Sequence, residues 1–452
     1  MKRTLPLHAG FLMASLAFLL PLCTHSAAQL EEDRLMPSPQ TLWERLQKSL
    51  PTFSYIVEKD EIISSDTVPG KKLRRIAVTF YSQTVDGKAW GHPSVIFLPA
   101  DPRIYGSPAR RGKVVVVGQR SIDGLATGPW SGSYLGNYGE PIASRTDYPT
   151  MIVPVPGEYD GTGGKEIPFS RMVVQGSQDL IDHCFLRLAV PYLRALDVLA
   201  DILKEKNIRA IIGGHSKRAT SAFTAAAADP ERVAGVVYMG NESTFAGMEN
   251  NFEKPLSPFY TSKYLAGPVL YIGGTNEDGY EMFNINKIEA RLERPWTVAM
   301  VPNYPHSAQS EKHFMNWQMW VSHVFDGRPI TKIEKLSYEE TKEGTTFRVH
   351  VDSPNKIIQV AVWYVYCDDE PYWRDLMWYS EFMYDRGAGL YEGYVKGNLP
   401  DAWLVEVKDI ANGFAGYVTS LPTNITHKAT KTRVSQGSRS KNWEPKAAKP
   451  GR

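Results

Sequence analysis

From Ile76 to Phe325, short runs of β-branched and other apolar residues alternate with stretches of helical period, and this alternation constrains the fold more than any other feature. Ile76–Tyr81, Ser94–Leu98, Val114–Val117 and Thr150–Val155 read as strands; such short β-branched runs, above all the unbroken Val114–Val117, are the mark of a sheet covered on both faces. Between Phe185 and Lys204 the period changes. Leu186, Val190, Leu193, Leu196, Leu199 and Leu203 recur at three- and four-residue spacing, which predicts an amphipathic helix. Beyond it come strand Ile208–Gly213, helix Thr220–Ala228, strand Val233–Met239 and strand Pro268–Gly273. Helix Glu281–Arg291, strand Thr297–Val301 and helix Ser310–Phe325 complete the series. Strands separated by helices imply right-handed crossovers and a mostly parallel sheet, so the fold class is α/β.

At Asp326-Gly327-Arg328-Pro329 the texture changes again. Thr346–Val351, Ile358–Tyr366, Tyr391–Val395 and Trp403–Lys408 are strand candidates with turn signals between them and no helical period. The expected organisation is a lead-in over residues 29–75, with an amphipathic stretch at Leu42–Leu50, then an α/β domain over 76–328. A C-terminal all-β, sandwich-like domain over 329–426 follows. A length of 452 residues, 42% hydrophobic and 22% charged, accommodates two such domains and excludes wholesale disorder.

The two ends of the chain differ from its body. Lys2 and Arg3 precede a short apolar run, Ala9 to Leu22, and Ser26-Ala27-Ala28 offers small residues for cleavage before Gln29. Residues 1–28 therefore read as a signal peptide, and the mature protein is expected to be secreted or periplasmic. The run is shorter than the roughly 20 apolar residues of a membrane span. Cys23 does not make a lipoprotein site, because Leu22 stands where a small residue is needed. Cleavage would leave Cys184 and Cys367, too far apart in sequence for a disulfide framework or a CxxC metal site. Residues 427–452 hold eight basic residues and one acid and are expected to be disordered. The whole chain carries only +2, so the body is mildly acidic and shows no nucleic-acid signature.

The richest stretch is Ile211-Ile212-Gly213-Gly214-His215-Ser216-Lys217-Arg218-Ala219-Thr220. A buried strand enters, glycines permit a sharp turn and a helix leaves, which lifts the Ser216 hydroxyl clear of the sheet edge. An N-cap serine would occupy the same place. A serine needs a base to take its proton and an acid to orient that base. In α/β-hydrolases these follow in the order Ser, acid, His, each after a late strand. His306, after strand Thr297–Val301, is the expected base, and the acid is Asp278 or its neighbour Glu277, after the Val269–Gly273 strand. Asp278 is preferred, because a short side chain followed by Gly279 suits a tight turn. His215 is expected to point to the wrong side of the elbow and to serve packing or pocket lining. The oxyanion hole would combine the Lys217 N–H with a donor from the loop after Val114–Val117, Gln119 or Arg120. Arg120 and Lys217 are candidate substrate-binding cations, although a salt bridge to a neighbouring loop is the slightly favoured role for the Lys217-Arg218 pair.

The segment Gly214–Thr220, the helix with Arg194-Ala195-Leu196-Asp197, and Gly274-Thr275…Asp278 with Pro302-Asn303…His306 resemble the PhoPQ-activated pathogenicity-related family. Val362-Trp363-Tyr364 and Tyr372-Trp373-Arg374-Asp375 are similar to that family's C-terminal region, so the likeness spans about residues 70–425. It departs at Ala219, where the family has Gly, and in the acid motif, where Glu277 rather than Asp278 stands two residues after Thr275. A fainter likeness is to glucuronoyl esterases, which also place a basic residue after the catalytic Ser. The resemblance implies an α/β-hydrolase fold and hydrolase activity without naming a substrate.

HExxH, Walker A and Rossmann glycine motifs are absent, and no metal or cofactor is expected. The resulting expectation is a secreted serine hydrolase, a carboxylic-ester hydrolase acting on a small-molecule or carbohydrate ester, without nucleic-acid partners or a membrane span. A peptidase of the same fold and a non-catalytic binding or signalling protein on this scaffold are the alternatives. Asn241-Glu242-Ser243 and Asn424-Ile425-Thr426 match glycosylation acceptors.

Overall fold

The computed structural model describes residues 36–85, 87–119, 134–155, 173–174, 176–240, 253–277, 282–290, 296–367 and 372–424. The signal peptide and basic tail expected from the sequence, with Arg120, Asp278 and Asn241-Glu242-Ser243, lie outside them. The described residues from Ser38 onward form one compact unit.

Helix α1 (Pro39–Gln47) starts at Ser38, whose hydroxyl accepts the Thr41 N–H at 3.1 Å. It buries Leu42, Trp43 and Leu46. Nine strands then build one sheet: β1 (Tyr55–Ser64), β2 (Lys72–Val85), β3 (Lys88–Pro99), β4 (Lys113–Gln119), β5 (Thr150–Pro154), β6 (Arg209–His215), β7 (Val233–Met239), β8 (Val269–Asn276) and β9 (Thr297–Pro305). Their spatial order is β1-β2-β3-β5-β4-β6-β7-β8-β9. The pairs from β5 to β9 are parallel, while β1, β2 and β3 join antiparallel. This order, with helices on both faces, is the α/β-hydrolase fold.

Helices α2 (Glu140–Thr146), α3 (Cys184–Leu203), α4 (Lys217–Ala228), α5 (Asn284–Glu289) and α6 (Glu311–Asp326) connect the strands. Consecutive β4 side chains show why the valine run does not alternate with polar residues. Val114 and Val116 enter the core beneath α3 and α4, while Val115 and Val117 enter the core beneath α2 and α6. Each of the four is fully buried, and each such side chain contributes about 1.5–3 kcal/mol of burial free energy.

The α/β body therefore begins before Ile76. The stretch read as a lead-in supplies α1, edge strand β1 and the start of β2. β1 escaped notice because Glu58, Lys59, Asp60 and Glu61 mask its pattern, as charges on an edge strand do. Helix α5 is shorter than the Glu281–Arg291 period suggested.

After α6 the chain folds into two antiparallel sheets facing each other. Strands β10 (Lys332–Glu340), β11 (Gly344–Asp352) and β12 (Lys356–Val365) come first, followed by β13 (Tyr379–Phe382), β14 (Tyr384–Gly387) and β15 (Leu390–Lys396). β16 (Ala402–Ala411), β17 (Phe414–Thr419) and β18 (Thr423–Asn424) complete the set. One sheet runs β10-β11-β15-β14, and the other is built from β13, β12, β16, β17 and β18. Phe347, Val349, Val362, Trp403, Val405 and Val407 fill the space between them. The sandwich is fastened to the α/β body. The Tyr417 N–H donates to Asn316 Oδ1 at 2.7 Å, the Met300 N–H to Thr419 Oγ1 at 3.0 Å, and buried Arg328 pairs with buried Asp409.

Candidate active site

Because β4, β6, β8 and β9 run parallel, their carboxyl ends share one edge of the sheet, where α/β folds bind their ligands. Gln119 closes β4, Ser216 follows β6, Glu277 follows β8 and His306 follows β9. Residues more than 180 positions apart are brought together by topology alone.

Ser216 has φ 60° and ψ −133°, outside the regions that L-residues prefer. Its hydroxyl caps no backbone N–H of α4, so the N-cap alternative does not describe it. The strained turn is held by the Ser216 N–H, which donates to the Met239 carbonyl at 2.9 Å. The two preceding glycines are there for close approach. A Cβ on Gly213 would strike the Val237 carbonyl of β7, and one on Gly214 would lie 2.6 Å from Tyr192 Oη and 2.8 Å from Arg218 Cβ. Gly214 thus makes room for α3 and α4. Tyr192 Oη lies 3.2 Å from the Gly213 carbonyl and 3.1 Å from that of Arg218, and buttresses the elbow from α3.

The acid that meets the histidine is Glu277. Its Oε2 lies 2.5 Å from His306 Nδ1, and its Oε1 accepts the Gly274 N–H at 3.3 Å. Asp278, preferred from the sequence, lies outside the described residues, and Glu277 is the carboxylate that reaches the imidazole. β8 pairs with β9 as far as Asn276, across an irregularity after Gly274, so the chain leaves the sheet at residue 277 and the Glu side chain reaches back to the imidazole. Glu277 is 3% exposed. A hydrogen-bond acceptor on Nδ1 favours the imidazole tautomer that carries its proton there.

His215 is not turned away from this side. Its ring lies against that of His306, with centroids 4.4 Å apart. Burial, followed by the neighbouring His306, Arg218 and His313, holds its pKa well below the usual 6.5, so His215 stays neutral. Gly240, at φ +59°, leaves space for both groups: a Cβ there would lie 3.1 Å from Glu277 Oε1 and 3.4 Å from His215 Nε2.

Lys217 is the first residue of α4, whose opening N–H groups have no intrahelical acceptors. The side chains of Lys217 and Arg218 are both buried, and Arg218 Nε donates to the His215 carbonyl at 3.1 Å. The sequence offered no signal for Tyr192 or for Tyr138, whose hydroxyl donates to the carbonyl of Ala308, two residues past His306. Among the described residues no group of three or more His, Cys, Asp or Glu side chains could hold a metal ion. Among them, too, no helix is long and apolar enough to cross a membrane.

No protein-family model and no curated protein matches the sequence. Solved structures similar to the chain include an acetyl xylan esterase from a Paenibacillus species, at 12% identity and TM-score 0.44, covering 65% of this chain and 99% of that one. A glucuronoyl esterase from Solibacter usitatus is similar at 13% identity and TM-score 0.40, covering 61% of this chain and 86% of that one. At these values neither likeness bears on activity.

Proposed function

We propose that the chain is an exported serine hydrolase of carboxylic esters, with Ser216 as nucleophile, His306 as base and Glu277 as the orienting acid. One observation carries the proposal: a strained, non-capping serine stands at the sheet edge where a buried carboxylate holds the Nδ1 side of a histidine at 2.5 Å. Ser216 Oγ attacks the ester carbonyl while His306 Nε2 takes its proton, and Glu277 stabilises the imidazolium. The oxyanion receives the Lys217 N–H and a second N–H from the end of β4, at Gln119. His306 returns the proton to the leaving alkoxide, and water then releases the acyl group by the same steps in reverse order. The substrate class is a small-molecule or carbohydrate ester. The motifs around Ser216, Thr275 and Asn303 support kinship with the PhoPQ-activated pathogenicity-related family, and Lys2, Arg3 and the Ala9–Leu22 run support export.

The test is an active-site-directed fluorophosphonate with intact-mass readout, followed by a panel of simple esters, sugar esters and peptides. Labelling of the wild type and none of Ser216→Ala is the expected result. An unlabelled wild type that turns over nothing in the panel would overturn the proposal, and turnover of peptides alone would replace the ester with an amide.

A further inference from the structure

Two motif residues, Thr275 and Asn303, take no part in the triad chemistry, yet they stand at the ends of β8 and β9, just before Glu277 and His306. Thr275 is 1% exposed. Its Oγ1 accepts the Asn303 N–H at 2.9 Å and donates to Asn276 Oδ1 at 2.7 Å. Asn276 Nδ2 then donates to the carbonyls of Arg374 and Leu376, at 2.8 and 2.7 Å. Asn303 exchanges a pair of bonds with the Trp378 backbone. Its Nδ2 donates to the Trp378 carbonyl at 2.8 Å, and the Trp378 N–H donates to Asn303 Oδ1 at 2.7 Å. Turning either amide over would set oxygen against carbonyl oxygen, so the circuit fixes both orientations.

The circuit joins three segments: the end of β8, the end of β9 and a strip of the β-sandwich between β12 and β13. That strip is itself rigidly seated. Trp373 and Trp378 are each 2% exposed, and Trp373 meets Phe283 edge-on with centroids 5.0 Å apart. Asn303 holds φ +56°, a setting that Asn tolerates better than most residues. Glu277 directly follows Asn276, and His306 lies three residues after Asn303. Loops leaving a sheet edge belong to the least stable parts of a fold, whereas an orienting hydrogen bond tolerates only about 0.5 Å of error.

We infer that the β-sandwich serves as a clamp on the active site: Thr275, Asn276 and Asn303 are positioning residues that tie both triad loops to the 372–378 strip and so hold Glu277 on His306. The catalytic consequence rests on the hydrolase reading above, but the geometric one does not.

The test uses the full-length protein with Asn303→Gly, which removes the amide while keeping the positive φ, and Thr275→Val, which removes the hydroxyl at nearly constant shape. Thr275→Ser is the conservative partner. Two readouts are taken: kcat and KM on a small ester, and the low-field proton NMR signal of the His306 Nδ1–H, assigned by its loss in His306→Ala. A misplacement of about 1 Å costs up to roughly 10²-fold in rate. The expected result is therefore a kcat lowered about 10- to 100-fold with KM within about twofold. The low-field signal should broaden or vanish, and Thr275→Ser should restore both. Folded Asn303→Gly and Thr275→Val proteins that keep the wild-type signal overturn the clamp. If the wild type neither hydrolyses esters nor takes the fluorophosphonate, the hydrolase reading fails, and the NMR signal of the same variants still decides the clamp.

Discussion

His215, one residue before the strained serine, lies ring against ring with His306, centroids 4.4 Å apart. The contact serves the proposed chemistry only while His215 is neutral. A charge at that distance from the imidazolium formed on His306 would cost roughly 4 kcal/mol at an effective dielectric constant near 20. Replacement of His215 by Asn, neutral and smaller, should hold kcat within about tenfold of wild type, whereas His215→Arg should lower it by about 10²-fold or more. Steady-state kinetics on variants of matched thermal stability check this. Equal losses in the two proteins would remove charge from the explanation.

Glu277 and Asp278 are separable by the same assay. An orienting carboxylate replaced by its amide costs about 10⁴-fold in a serine triad, because the imidazole is left in the wrong tautomer. Glu277→Gln should show a loss of that order in kcat, and Asp278→Asn less than about tenfold. The reverse ranking would mean that His306 turns to a different acid during catalysis.

The serine and histidine of the proposed triad stood out in the sequence because each depends on local punctuation. Gly213-Gly214 before a helix marks an elbow, and a histidine just before the last helix of an α/β series has few other places to go. The choice between two adjacent acids was not readable. It turns on how far β8 stays paired with β9, a register set by partners about 30 residues away. β1 was missed for the opposite reason, since its exposed edge leaves side-chain charge free to vary. The circuit through Thr275 and Asn303 was visible only as motif residues without a role, because its third segment comes from the sandwich.

Three buried imidazoles should make the fold acid-sensitive. His92 is enclosed between Ser82 Oγ at 2.7 Å and the Pro154 carbonyl at 2.8 Å, and burial pulls its pKa down to about 4. Burial likewise holds His313 down at about 3 and His215 well below 6.5. In the unfolded chain all three take up protons near pH 6.5, while the native state resists. Each therefore contributes stability that is complete above pH 6.5 and is lost as pH falls toward the folded value, by about 1.4 kcal/mol per pH unit. Denaturant midpoints measured from pH 7 to pH 4 should fall steeply, and His313→Asn should flatten the slope by one proton. An unchanged slope in that variant would remove His313 from the account.

The two cations after the nucleophile remain to be weighed. The sequence offered two roles for Lys217, a cation that faces the substrate and attracts a carboxylate or one half of a salt bridge outside the pocket. Burial argues against the first role, since Lys217 is 6% exposed and Arg218 5%. Arg218 Nε is committed to the His215 carbonyl, the residue just before Ser216, so its guanidinium stiffens the elbow. A hydrogen bond from a charged donor contributes about 1.5–3 kcal/mol, and Arg218→Met should lower stability by that amount and kcat with it. Neither Arg218→Met nor Lys217→Met should change the ratio of kcat/KM for a carboxylate-bearing ester to that for a neutral ester of equal size. Measured at low and high salt, a side chain that reached the substrate would give a ratio that falls with ionic strength and collapses on its removal. A salt-dependent preference lost in Lys217→Met would return that lysine to the substrate site and show that its burial is relieved when the ester binds.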